Sequence, residues 1–418
     1  MSRNNNSNPL WTRDFTILTV GSVVSMFGNA MTGFAMSLMV LDLSKSTMLY
    51  AIYIAMYTLP QLIMPILSGA FLDRRSRKKT IYTLDFISAG LYLLLAGLLA
   101  TGWFSFPVFA VYCFILGSIQ SIYFTAYDSF YPLLISEGNY QKAYSIASVL
   151  ETMSAVMVPV STFLYHRVGL APLMAANGVC FFAAAVIETR IRAEEDYIET
   201  QKANVLEGAG KVRQMLAYVR EGFAYLAGEK GLLAVAVYFG VLAVTGGASN
   251  VITLPWFKNT YPNGEYIYML VWGGALAGRA LGGAIHYRLS IRAQLRYRVA
   301  LTVYLLTALL EGFYLFCPLP VMALMCFGTG IFGVTSYTIR ISATQSYVPD
   351  EKKGRFNGAF NMLSTLGALV GEMAGGALST RFNERIILMW FMLGQVAACL
   401  LIIGGSKRHV EKVYNRAQ

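Results

Sequence analysis

Ser68-Gly69-Ala70-Phe71-Leu72-Asp73-Arg74-Arg75-Ser76-Arg77-Lys78-Lys79-Thr80 decides how the rest of the chain is read. An apolar run ends at Leu72, one acid and five cations occupy positions 73–79, and a second apolar run begins at Ile81. Two runs long enough to cross a bilayer, joined by so short a turn, have to be antiparallel helices whose joined ends share one membrane face. Five Lys and Arg in a tight loop mark that face as cytoplasmic, because cationic loops resist translocation.

Composition agrees. The 418 residues are 56% hydrophobic and 13% charged, with a mean hydropathy of +0.53, whereas soluble domains carry about 25% charged residues. In a soluble protein the net charge of +11 would suggest nucleic acid. Here it belongs to loops facing anionic lipid, and no nucleic-acid partner is expected. Cys113, Cys180, Cys317, Cys326 and Cys399 all lie in apolar runs without metal-ligand spacing, so neither a metal, a cofactor nor a disulfide framework is expected. The polar, Asn-rich start, Met1 to Pro9, has no cleavable signal pattern.

At about 20 apolar residues per span, twelve spans are expected: 15–41, 49–72, 81–101, 104–131, 143–165, 169–188, 231–256, 266–287, 297–317, 320–347, 356–380 and 386–404. With the N-terminus inside, only Lys45, Arg167, Lys258, Arg381 and Arg385 of the 33 Lys and Arg face outside, and Arg279 and Arg340 sit within spans. That asymmetry puts both termini in the cytoplasm. Residues 189–230 interrupt the pattern. Arg190 to Glu199 is a solvated charge run. From Lys211 to Lys230, Val212, Leu216, Val219, Phe223 and Leu226 recur at helical spacing opposite Lys211, Arg213, Arg220, Glu221 and Glu229. This is an amphipathic helix for the inner interface, a tether between halves or a regulatory element.

The expected organisation is an all-α membrane protein with a six-helix bundle over 1–188, a linker over 189–230 and a second six-helix bundle over 231–418. An internal repeat supports it. Gly283-Ala284-Ile285-His286-Tyr287-Arg288-Leu289-Ser290 lies over Gly69-Ala70-Phe71-Leu72-Asp73-Arg74-Arg75-Ser76 at an offset of 214, and Val348-Pro349-Asp350 lies over Ile135-Ser136-Glu137 at 213. Tyr287 stands where the first copy has Asp73.

The G-x-x-x-D-R-x-x-R-K pattern from Gly69 resembles the signature loop between the second and third helices of the major facilitator superfamily. Further stretches resemble its macrolide-efflux and enterobactin-exporter branch: Phe15 to Thr47 with Ser25-Met26-Phe27-Gly28-Asn29, Leu59-Pro60 to Lys79, Val219 to Leu226, and Gln345 to Gly358. Asn29 stands where that branch usually has an acid, and Val158-Pro159 keeps only the proline of the drug antiporters' Gly-Pro motif. The resemblance implies two bundles rocking about a central cavity, in a bacterial inner membrane and as a monomer. It also implies a cytoplasmic latch. Asp73 would cap the eleventh span near Gly354–Gly358, where free N–H groups attract an anion, and Arg74 or Arg77 would pair with Asp128.

Charges inside spans each need an account, because they are costly in lipid. Asp85 is expected to neutralise Lys78 or Arg77 locally, and Glu188 to be interfacial and solvated. Asp128 is read as latch partner or as a substrate or proton site. Glu311 is partnered or snorkelling. Glu151 lies nine residues past Lys142 and Arg279 nine before Arg288, so both sit roughly 13 Å in from the cytoplasmic charges. With the family's packing of the fifth span on the eighth, this suggests an inter-bundle ion pair; the alternative is that each faces the cavity alone. Glu372, inside Gly367-x3-Gly371-x3-Gly375, is a second proton-carrier candidate on a seam of close helix approach. Arg340 points into the cavity, suiting an acidic cargo, or toward the latch region.

The family's cavity walls would offer Asn29, Thr32, Gln120, Tyr123, Phe124, Tyr127, Asn250, Tyr337 and Arg340. So aromatic and weakly polar a lining suits a bulky amphiphile. The leading expectation is a secondary transporter exporting amphiphiles with proton coupling. An importer or uniporter of a specific metabolite, or a lipid translocase without protons, is the alternative. No Gly-x-Ser-x-Gly, phosphate loop or His-Glu-x2-His occurs, which argues against an enzyme or an ATP-driven pump.

Overall fold

The computed structural model is almost wholly helical. It describes residues 9–72, 75–136, 139–193, 195, 208–288 and 291–416. Asp73 and Arg74, the centre of the expected latch, lie outside these residues, as does the side chain of Glu151. The helices are α1 Arg13–Ser44, α2 Thr47–Leu72, α3 Arg77–Ala100, α4 Phe106–Phe130, α5 Tyr140–Val168, α6 Leu170–Glu188 and α7 Gly208–Gly228. Then follow α8 Lys230–Thr260, α9 Gly264–Arg288, α10 Arg296–Phe313, α11 Leu319–Tyr347, α12 Asp350–Leu378, α13 Glu384–Ala398 and α14 Lys407–Tyr414.

Among the described residues, nine helical stretches are long and apolar enough to cross a membrane. They fall in α1 to α4, α6, α8, α10, α11 and α13. The helices α5, α9 and α12, of 29, 25 and 29 residues, occupy the other three expected spans; in α9 and α12 glycines and polar or charged residues dilute the apolar signal. Large apolar side chains stand open on the outer surfaces, among them Leu270, Leu324, Trp390 and Leu401, as helices in lipid require. Turn residues match their conformations: Gly102 and Gly169, with φ of +75° and +77°, close the α3–α4 and α5–α6 turns at no Cβ penalty.

Contacts divide the chain into two units, Met1–Leu43 with Met56–Arg213, and Ser44–Ala55 with Gln214–Gln418. In the first, α3 runs along α6 and touches α4. Phe15, Leu18, Ile81, Ala126, Phe130 and Tyr131 fill its core at one end. Polar side chains tie α1 into this unit. The Asn177 amide donates to the Thr32 hydroxyl at 2.8 Å, the Tyr92 hydroxyl donates to Asn29 at 3.1 Å, and the Ser161 hydroxyl donates to the Met31 carbonyl.

In the second unit, α8 lies along α12 and α9 along α11, both on glycine seams. A Cβ on Gly367 would stand 2.5 Å from the Gly240 carbonyl oxygen, and one on Gly375 3.1 Å from Ala248 Cα. Missing side chains let the backbones meet and raise dispersion contact where lipid supplies no hydrophobic drive between helices. The amphipathic helix α7 buries Leu226 in a core with Tyr304, Phe356, Val410 and Tyr414.

Two expectations change, and one stretch carries structure that none foresaw. The helix α12 begins at Asp350, so Gly354–Gly358 lie within it and cannot supply free N–H groups. The last span ends in a π-turn, Cys399–Gly404, and is followed by α14, whose Val410, Val413 and Tyr414 are buried; local propensity marks neither. Glu188 is 1% exposed, not solvated, because α6 packs on α3 and the Glu188 carboxyl lies against Gly21 of α1.

Candidate functional site

Each unit contains a cavity. That of the second unit measures about 690 Å³ and brings together Asn250, Arg279, Glu311, Tyr337 and Arg340. Helices α8 to α12 all contribute, and small residues on α8 and α11, such as Gly246 and Gly333, leave the space open. The Arg340 guanidinium lies 4.8 Å from the Phe360 ring centroid, 5.3 Å from Tyr337 and 5.4 Å from Phe239. Three ring faces thus hold a planar cation that stacks and still presents N–H donors. Arg279 lies 5.7 Å over Trp272 and within electrostatic reach of Glu311. The sequence did not assign Glu311; the structure turns it into the cavity that Arg279 and Arg340 also line. Any pairing of Arg279 with Glu151 rests on a side chain outside the described residues. Glu372 is 4% exposed on α12 and lines neither cavity.

The cavity of the first unit, about 450 Å³, is lined by Asn29, Gln120, Tyr123, Phe124, Tyr127 and Asp128, together with Ser22 and Asp85. Tyrosines four apart at the end of α4 and in the turn that follows it form a ladder, Tyr123 to Tyr127 at 6.0 Å and Tyr127 to Tyr131 at 5.2 Å between centroids, both stacked. Thr32 does not reach this cavity. It is fully buried, bonded to Asn177 and to the Gly28 carbonyl, and so holds helices together.

Arg77 is brought to the end of α4 next to Asp128, where its guanidinium donates to the Ser129 carbonyl at 2.9 Å. The Lys78 ammonium donates to the Ala193 carbonyl at 2.6 Å. Glu195 accepts from the Arg77 backbone N–H at 2.7 Å and from the Ser76 hydroxyl, so an acid from beyond α6 caps α3. Asp85 therefore does not neutralise these cations. It faces Glu188 across α3 and α6, both 1% exposed, with their carboxyl groups in mutual hydrogen-bonding reach. The sequence carried no sign of this pair, since neither residue sits in a motif.

The sequence pattern described as the Major Facilitator Superfamily matches residues 18–372. The chain is 24% identical over 293 residues to the uncharacterized MFS-type transporter YkuC of Bacillus subtilis, covering 67% of each chain. It is 26% identical over 370 residues to YfiS of the same bacterium, also an uncharacterized MFS-type transporter, covering 84% of this chain and 81% of that one. Among solved structures, the nucleoside transporter NupG superposes with a TM-score of 0.68 at 12% identity, over 95% of this chain and 99% of the other. A bacterial homologue of the iron transporter ferroportin, in its inward-facing state, gives 0.62 at 15% identity, over 95% and 98%. At such identities the superpositions speak for the fold alone.

Proposed function

The chain belongs to the Major Facilitator Superfamily, and from that membership we propose that this membrane transporter exports a bulky amphiphilic small molecule bearing an acidic group, driven by protons. The observation that carries the reading is Arg340, held among Phe239, Tyr337 and Phe360 in the second unit's cavity. Ring faces suit an apolar body, and a guanidinium suits a carboxylate or phosphate through paired N–H donors. Arg279 adds a second cation to the same cavity. In this reading the two bundles alternate access to a cargo, α7 tethers them on the cytoplasmic side, and the Asp73 loop latches that side.

Everted membrane vesicles under an inward-acid pH gradient test it. They should accumulate a lipophilic carboxylate dye, and a protonophore should collapse the uptake. Uptake unchanged by the gradient overturns the proton drive. Equal uptake of a cationic dye of the same size overturns the cargo class.

A further inference from the structure

We infer that Asp85 and Glu188 form a proton-binding pair inside the first unit, holding one proton between their carboxyl groups and exchanging it through the cavity that Asp85 lines. The inference rests on the proton-driven reading for its use. Its readout is protonation of the purified protein, so the two can fail separately.

Burial comes first. Both side chains are 1% exposed. Asp85 lies two turns into α3 from Lys78 and Lys79, and Glu188 is the last residue of α6. Among the described residues neither acid takes part in an ion pair. Of the cations that open α3, Lys79 is exposed, and Arg77 and Lys78 reach backbone carbonyls of Ser129 and Ala193. Two dry, adjacent carboxylates cannot both stay ionised. One proton answers the problem with the atoms present: one acid donates its O–H and the other accepts.

The surroundings are built for that proton rather than for a metal ion. Asp85 Oδ2 and both Glu188 carboxyl oxygens are buried with no partner that donates to them. The Ser22 hydroxyl, on a residue 8% exposed, is likewise unpartnered and lines the same cavity as Asp85. The Glu188 carboxyl lies against Gly21 of α1, where a Cβ would stand 2.5 Å from Oε1. The groups facing the pair are the Tyr123 and Tyr127 hydroxyls of α4, which feel Glu188, and Asp128, which lines the same cavity as Asp85. Helix α1 contributes Ser22 and no charge there. No set of three or more His, Cys, Asp or Glu that could hold a metal occurs among the described residues.

When the proton leaves, the pair carries two negative charges and no counter-ion. That state needs water, and the cavity beside Asp85 is where water enters. Protonation therefore favours the dry, closed packing of α3 on α6, and deprotonation the wetted one. This is the coupling a proton-driven carrier requires: a titration with two structural consequences.

Infrared difference spectroscopy of the full-length protein in nanodiscs, titrated across pH, tests the pair. The wild type should show a protonated-carboxyl C=O band that disappears on alkalinisation, shifts in D2O and ignores sodium. Asp85→Asn and Glu188→Gln should each remove or displace the band, and Tyr123→Phe should shift it without loss. Absence of a titrating carboxyl band in the wild type overturns the proposal even if both substitutions fail to fold. A band untouched in both well-folded variants overturns it too. A band that responds to sodium at constant pH overturns it in favour of a cation site.

Discussion

Glu221 on α7 and Arg355 on α12 meet at 2.9 Å, and that contact sits within a wider clasp. The Lys352 ammonium lies 4.7 Å over the Tyr225 ring, the Tyr347 hydroxyl donates to Glu229 at 3.2 Å, and Gly222 lies against the Arg355 backbone. The ion pair itself is 39% and 54% exposed, so screening limits it to about 0–1 kcal/mol.

The glycine should therefore matter more than the charge. Glu221→Ala is expected to lower stability by less than about 1 kcal/mol. Gly222→Val should cost roughly 1–3 kcal/mol, because its side chain meets the Arg355 carbonyl and the helix has to lift. Hydrogen exchange across α7 checks this. Protection lost in Glu221→Ala but kept in Gly222→Val would mean that the salt bridge, not the close approach, holds α7.

Arg340→Lys keeps the charge and loses the plane that stacks on three rings. We expect it to weaken binding of an anionic amphiphile by about tenfold, some 1.4 kcal/mol, and Arg340→Gln by more. Ligand-induced thermal stabilisation of the purified protein reads the effect. Wild-type affinity in Arg340→Gln would remove Arg340 from the binding site.

Gly246 and Gly247 are neighbours on α8 with opposite surroundings. A Cβ on Gly246 meets nothing within 4 Å, whereas one on Gly247 would lie 3.0 Å from Ala368 Cα and closer still to its carbonyl. Gly246→Ala should be neutral or stabilising by up to about 1 kcal/mol. Gly247→Ala should destabilise by roughly 1–3 kcal/mol. Thermal unfolding of the pair in one detergent gives the comparison.

Thr32→Val should strand the Asn177 amide, with a cost of about 1–3 kcal/mol for the unpaired group. Because Thr32 does not line the cavity, cargo preference should stay as in the wild type. A changed preference, seen by competition between dyes, would return Thr32 to the transport path.

Asp73→Asn tests the latch. The variant should fold with near wild-type stability and transport far more slowly. Wild-type turnover in a well-folded Asp73→Asn protein would show that the loop serves topology alone.

The spans and the linker helix were legible in the sequence because hydrophobic length and charge are local quantities. Leu72, Ile81 and the cations between them need no knowledge of any neighbour. The seam at Gly367, Gly371 and Gly375 was legible for a similar reason: its spacing is that of one helix face. What a span packs against is not local. Thr32 and Asn250 have comparable chemistry, yet one is locked against Asn177 and the other lines a cavity. Glu311 turned out to share a cavity with Arg279 and Arg340, and Glu188 to lie buried against Asp85. Each outcome depends on the rotation of a helix about its axis and on which helix lies beside it. Those are set by the packing of many side chains at once, and only the tertiary structure decided them.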